Sequence, residues 1–264
     1  MEQPQPAPAS PVESIDRALR TLEVVAAAGP RGVMLAELAA ALDVHKTTVH
    51  RSLAALRFRE YVVQDPGTGR YALGAAAMHL ADLYFAEDDL PARLRAALVA
   101  LSAATGELVH LGVLSGTQVV YLDKVEPERS VRVWSAVGRR RSAVSTALGR
   151  ALLAASGITG TALREYLDAL PAVEGLDRGA RDEHVADELS RARRRGYAVE
   201  VQENEPGIAC VAVPILREGG RPVAAVSITA PVERMDADRM SELHAAIRRV
   251  LPPLLPSGFA LPAA

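Results

Sequence analysis

The sequence predicts an α+β protein in which a small helical domain closed by a hairpin leads, through a helical connector, into a larger domain of antiparallel strand pairs carrying helices. Three observations predict it. Leu35, Leu38, Ala39 and Leu42 recur at helical spacing, Asp43 and Val44 interrupt, and Val49, Leu53 and Leu56 begin a second apolar stripe. Alternating residues at 61–64 and 70–73 flank the turn D-P-G-T-G, so the helix pair is followed by a hairpin, the wing of a winged helix-turn-helix. Beyond about residue 105, strand-like runs joined by short turns alternate with helical stretches to the end of the chain.

Residues 1–12, rich in Pro, Gln and Ala, are expected to be a disordered tail. Ile15, Ala18, Leu19, Leu22, Val25 and Ala26 then keep helical spacing, with Ser14 as cap and Gly29-Pro30 as stop. This helix is expected to support the helix-turn-helix and to complete a domain over 13–74. Residues 75–90 are the expected linker helix, which can transmit orientation where a Gly/Ser linker could not. An acidic break at Glu87-Asp88-Asp89 precedes a longer helix from about Pro91 to Thr105, where a first-turn proline forfeits no hydrogen bond.

The second domain is expected over 91–256. Residues 108–114 and 118–125 flank Ser115-Gly116 as a hairpin, and 130–137 form a third strand. Helices are expected at 146–155, 162–169, 181–195 and 236–250, and strands at 197–202, 208–216 and 222–229. Residues 257–264 are left as a C-terminal tail. Strand pairs with helices packed on them suggest a sensor module of the GAF or PAS kind.

Composition narrows the function. At 264 residues, 49% hydrophobic and 23% charged, the chain is long enough and apolar enough for two globular domains. A net charge of −2 argues against coating nucleic acid everywhere, so any DNA contact must be local. One cysteine excludes an internal disulfide or a multi-cysteine metal site and fits a reducing cytoplasm. No apolar run approaches the roughly 20 residues that span a bilayer, and no signal peptide opens the sequence. A cytoplasmic protein with no metal and no cofactor is expected.

The second helix of the pair turns His45, Lys46, Thr47, Thr48, His50 and Arg51 outward, and no acidic residue occurs between Asp43 and Glu60. A positive, hydroxyl-rich helix face suits phosphates and base edges. The plainer alternative is a solvated basic face. What favours DNA is the order of helix, turn, acid-free helix and wing.

Four blocks carry a family resemblance: TTVHRSLAALRFREYVVQDPGTGRYALG, GELVHLGVLSGTQVVYLDKVE, STALGRALLA and ENEPGIACVAVPI. In order and spacing they resemble the IclR family of bacterial transcriptional regulators, over about Glu13 to Leu255. The resemblance implies a winged helix-turn-helix, a linker helix and a GAF-like effector-binding domain, assembled as a homodimer or a dimer of dimers. Lys46, Thr48, Val49, His50 and Arg51 match the family's K-[ST]-T-V-H-R run, with Thr47 where Ser is usual and His45 where Pro is common. By their chemistry Thr47, Thr48 and His50 can reach base edges or phosphates, while Lys46, Arg51 and the wing's Arg70 suit phosphates or the minor groove.

For the effector, the resemblance points to Gly138, Arg139, Glu200, Cys210, Ser227 and Thr229. Backbone amides near Gly138 and the Ser227 and Thr229 hydroxyls could hold a carboxylate, and Glu200 could accept from a ligand hydroxyl, which suits a small organic acid. The family's P-L-H-A-T-A reads Ser142-Ala143-Val144-Ser145-Thr146-Ala147, so Val144 replaces its histidine, and Arg139, Arg140 and Arg141 form an unusual triplet. These departures imply a different acid, a bulkier aromatic one, or none. The triplet could equally face water, and Cys210 could be a small core residue. The expected function is a ligand-responsive, DNA-binding repressor. Two other readings remain open: an enzyme with Cys210 as nucleophile and His110 or His184 as base, or a winged helix used only for protein association. Against the enzyme, no phosphate loop, G-x-S-x-G elbow or H-E-x-x-H helix occurs, and the histidines are scattered.

Overall fold

The structure is a computed structural model that describes residues 10–86, 89–127, 136–171 and 177–263. They fall into two compact units divided between Asp89 and Leu90. The first holds α1 (Glu13–Ala27), α2 (Leu35–Leu42), α3 (Lys46–Phe58), β1 (Val62–Gln64), β2 (Tyr71–Leu73) and α4 (Ala75–Ala86), which is the expected linker helix. The second holds α5 (Leu90–Thr105), β3 (Leu108–Ser115), β4 (Gln118–Val125), β5 (Arg140–Ser142), α6 (Ala147–Ala155), α7 (Gly160–Asp168), α8 (Arg178–Arg195), β6 (Ala198–Val201), β7 (Ile208–Arg217), β8 (Pro222–Pro231), α9 (Ala237–Val250) and β9 (Phe259–Ala260).

In the first unit the two apolar stripes meet as their spacing predicts, Leu38 and Leu42 of α2 packing with Val49, Leu53 and Leu56 of α3 and with Val62 and Tyr71 of the hairpin. Helix α2 stops because Asp43 turns left-handed at φ 52°, a conformation a short polar side chain tolerates. In the wing, the Asp65 carboxylate accepts from Thr68 N (2.6 Å), Thr68 Oγ1 (2.9 Å) and Gly67 N (2.9 Å), and these bonds, those from Thr68 foremost, hold its pKa below the ordinary carboxylate value. Gly69 closes the turn at φ 72°, in the region glycine enters without steric cost.

Of the apolar positions read at helical spacing on the supporting helix, α1, Ile15 and Leu19 are 58% and 55% exposed, while Thr21 and Val25 are fully buried. Thr21 tolerates burial because its hydroxyl donates to the Arg17 carbonyl at 2.7 Å. Val12, Ile15 and Leu19 are left as an apolar stripe on the outside of the unit.

The second unit is built on an antiparallel sheet, which among the described residues runs β5-β4-β3-β8-β7-β6, with β9 added to β7. Both faces are covered, which explains the near-continuous apolar runs of its central strands. Leu94, Leu98 and Leu101 of α5 and Ile247 of α9 pack on Val109, Leu111, Val211, Val226 and Ile228. On the other face Leu148 and Leu152 of α6 and Leu189 of α8 pack on Val119, Ala212 and Ala225. Gly149 lets the start of α6 press against the chain before it, since a Cβ there would lie 2.2 Å from the Ala143 carbonyl oxygen.

The third strand was expected at 130–137; residues 130–135 lie outside the described residues, Ala136 and Val137 are not strand, and among the described residues β5 pairs with β4. One further expectation changes. Residues 257–264, expected as a tail, supply β9, which pairs Ala260 with Leu216 and Phe259 with Arg217. The Phe259 ring lies 4.6 Å from the Arg93 guanidinium and 5.6 Å from that of Arg217, contacts that fix this segment on the sheet. Residues 1–9 of the expected N-terminal tail, and Glu87 and Asp88 of the acidic break, lie outside the described residues. Among the described residues no helix is long and apolar enough to cross a membrane.

Candidate functional site

The outer ridge of α3 is laid down by its first turns. His45 caps the helix, its Nδ1 3.4 Å from Thr47 N, and Lys46, Thr47, His50 and Arg51 follow as exposed residues at i, i+4 spacing. Thr48 sits half-buried at the flank, and the opposite face buries Val49, Ser52, Leu53 and Leu56. Among the described residues no carboxylate pairs with Lys46, His50 or Arg51. The ridge therefore keeps its charge for something outside the unit.

Arg70 is put to a different use from the one expected. Its Nε donates to the Arg31 and Gly32 carbonyls (3.1 and 3.2 Å), and its Nη2 meets the Glu37 carboxylate at 3.2 Å, so the guanidinium bolts the wing to the start of α2. The sequence reading missed a second tie: Arg57 of α3 donates to Gln64 Oε1 at 3.0 Å, and Gln64 Nε2 donates to the Gly69 carbonyl at 3.1 Å.

In the second unit the two-residue strand period gathers the polar residues on the α6 face. Register places Glu200 opposite Cys210, Cys210 opposite Thr229, and Ser227 opposite His110. Glu200, Cys210, Ser227 and Thr229, four of the six expected effector residues, line one pocket, together with Tyr121, Thr146 and Asn204, which the sequence reading had not singled out. The space between them is about 10 Å³, room for roughly one water. Glu200 Oε1 accepts from Glu203 N (2.6 Å) and Asn204 N (3.0 Å), while burial, the larger influence, raises its pKa. The Cys210 Sγ lies 3.2 Å from Thr229 Oγ1, which in turn lies 3.3 Å from His110 Nδ1. Burial, with Lys124 adding to it, lowers the His110 pKa to about 4, and the imidazole meets the Tyr121 ring edge-on at 5.0 Å.

Gly138 and Arg139 lie outside this lining. Gly138 N donates to the Tyr121 carbonyl at 2.7 Å and Arg139 N to the Ala136 carbonyl at 3.1 Å, so the amides expected to hold a carboxylate are already engaged. Val144, where the family has histidine, is buried in the core under α6 and is no part of the pocket.

Behind the pocket lies a device the sequence did not reveal. Arg150, 1% exposed, donates from Nε to the Val144 carbonyl (2.7 Å), and from Nη1 to the Val199 carbonyl (3.0 Å) and Glu203 Oε1 (2.8 Å). Its Nη2 pairs with Glu203 Oε2, and His184 Nε2 lies 3.2 Å from that same oxygen. One guanidinium thus ties α6 and β6 to the loop that follows Glu200.

The pocket is equipped to bind and poorly equipped for nucleophilic attack. Burial, and after it Glu200, pushes the Cys210 thiol well above its ordinary value, the reverse of an activated thiolate. His184 bonds to Glu203 in the Arg150 cluster.

Known proteins match both units. The IclR helix-turn-helix domain matches residues 14–66, and the C-terminal domain of the bacterial transcriptional regulator IclR matches residues 83–251. The chain belongs to the IclR family of bacterial transcriptional regulators. The glycerol operon regulatory protein of Streptomyces coelicolor is 36% identical over 246 residues, covering 90% of this chain and 92% of that one. An IclR transcriptional regulator from Alicyclobacillus acidocaldarius shares the fold at TM-score 0.70 and 27% identity, over 93% of this chain and 98% of that one. An IclR homolog from Microbacterium hydrocarbonoxydans, complexed with 4-hydroxybenzoate, shares the fold alone: TM-score 0.69, 20% identity, 91% of this chain and 98% of that one. This IclR-family protein is a DNA-binding transcriptional regulator with an effector-binding C-terminal domain. Its relatives are regulators and not enzymes, which sets aside the Cys210 enzyme reading.

Proposed function

We propose that this IclR-family regulator works in the cytoplasm as a homodimer or dimer of dimers, and represses where its operator overlaps a promoter. Two copies of α3 enter successive major grooves of a near-palindromic site whose half-sites lie roughly one helical turn apart. The effector is a small hydroxylated organic acid, aromatic or aliphatic, held by Glu200, Cys210, Ser227 and Thr229. Its binding biases the orientation of the DNA-binding units through α4 and so changes operator affinity.

The observation that carries this function is the ridge of Lys46, Thr47, His50 and Arg51, exposed and without an acidic partner among the described residues. Val12, Ile15 and Leu19 support self-association, since an apolar stripe on a small unit calls for a partner surface. The effector class draws on the pocket's hydroxyls and carboxyl, on the 4-hydroxybenzoate carried by the Microbacterium homolog, and on the relative named for the glycerol operon. The two names share the hydroxyl.

Arg51→Ala tests the DNA surface. Losing one phosphate contact should weaken operator and non-operator DNA alike and flatten the slope of log affinity against log salt by about one unit. The measurement is fluorescence anisotropy on DNA from upstream of the protein's own gene, across a salt series. An unchanged slope removes Arg51 from the contact surface.

A further inference from the structure

The pocket's lining carries one charged side chain, the carboxyl of Glu200. Its Oε1 is engaged by two backbone amides, and Cys210 faces it across the β6–β7 ladder. A ligand carboxylate pressed into this floor would meet a like charge in a confined site, where repulsion is least screened. A hydroxyl would not, because it can donate to Glu200 and accept in turn. Room for roughly one water at the floor also suits a hydroxyl-sized group. Ser227, 1% exposed, lines the pocket and brings a hydroxyl to it.

Positive charge stands outside this lining, on the same face of the sheet. Arg141 of β5 is opposite Val119 of β4, and directly paired residues project to the same face of a sheet. Val119 is packed under α6, so Arg141 emerges on the pocket's face, on the outermost of the described strands. Tyr121, two residues along β4, shares that face and lines the pocket, and the Arg139 carbonyl accepts from Tyr121 N at 3.0 Å. The Tyr121 phenol is raised by burial first and then by Cys210; Arg141 and Arg139 pull it down while Glu200 pushes it up, so the ring feels both charges. Arg141 is half-buried and has no ion-pair partner among the described residues.

We propose that Arg141 determines effector specificity by holding the anionic end of the ligand beside β5, while Glu200 takes a hydroxyl at the floor. The ligand is then a molecule with a hydroxyl at one end and an acid at the other, bound hydroxyl first. This rests on the hydroxy-acid reading of the effector, and the two fail separately in one experiment.

Isothermal titration calorimetry on the full chain compares glycerate and 4-hydroxybenzoate with glycerol and 4-hydroxybenzyl alcohol, which keep the hydroxyl and lack the acid. The expected result is that wild type binds one or both acids, that Arg141→Gln weakens them about 10- to 100-fold, and that Arg141→Lys retains most of the affinity. Affinity for the alcohols, where measurable, should not change. Acid binding that survives Arg141→Gln unaltered overturns the role of Arg141 and leaves the hydroxy-acid effector standing. A wild type that binds neither acid, or only the alcohols, overturns both. A melting curve for each variant separates lost binding from lost folding, and a charge-specific loss that Arg141→Lys reverses has no purely structural explanation.

Discussion

Arg150→Ala is expected to destabilise the C-terminal unit by about 3 kcal/mol, a drop of roughly 6–12 °C in its melting temperature. The guanidinium is 1% exposed and serves the Val144 and Val199 carbonyls and both oxygens of Glu203. Truncation leaves two carbonyls unserved, a part-buried carboxylate with His184 in place of its guanidinium, and a cavity beneath α6, and unmade buried bonds cost more than made ones contribute. Arg150→Lys should recover part of the loss, because an ammonium keeps the charge and cannot reproduce the planar fork. Calorimetry of the full chain measures it. A melting temperature within about 2 °C of wild type would show that water replaces the guanidinium at little cost.

Acidification should weaken the same unit through His110. Its pKa falls from 6.5 in the unfolded chain to about 4 in the folded one, burial being the main cause and Lys124 a lesser one. Between these values the unfolded state binds a proton that the folded state refuses, so stability falls as pH drops from 6.5 toward 4. The difference corresponds to about 3 kcal/mol by pH 4, fully recovered above pH 7. Carboxylates titrate nearby, so the comparison is between wild type and His110→Gln in urea at pH 7, 5.5 and 4.5. The variant should start lower, having lost a buried ring packed on Tyr121, and fall less steeply with acid. Parallel curves would show that His110 protonates equally in both states.

How much of this was legible in the sequence depended on how far apart the interacting residues lie. The helix-turn-helix could be read directly, because Leu38, Leu42, Val49, Leu53 and Leu56 encode their contacts at local helical spacing. Ile15 and Leu19 could not be placed, because helical spacing alone does not say which side of an apolar stripe meets this chain's own core. Glu200, Cys210, Ser227 and Thr229 were found through the family blocks, and the two-residue period explains why they share a face. Tyr121 was not joined to them, and His110 only as the base of the enzyme reading, because their places depend on strand order, with β3 lying between β4 and β8. Gly138 was expected to offer an amide that a turn carbonyl already occupies. Arg150 sits in a helix that reads as an ordinary apolar run, and two of its partners lie 49 and 53 residues away.

If the α3 ridge binds the operator and the Glu200 pocket sets how tightly, operator affinity must respond to the ligand. The most direct measurement is the operator affinity of the full chain at fixed salt, without ligand and then saturated with whichever of glycerate and 4-hydroxybenzoate binds more tightly. A change of at least about tenfold is expected, equivalent to about 1.4 kcal/mol of coupling, and it should disappear in a pocket variant such as Glu200→Leu. Equal affinity with and without bound ligand would contradict that coupling.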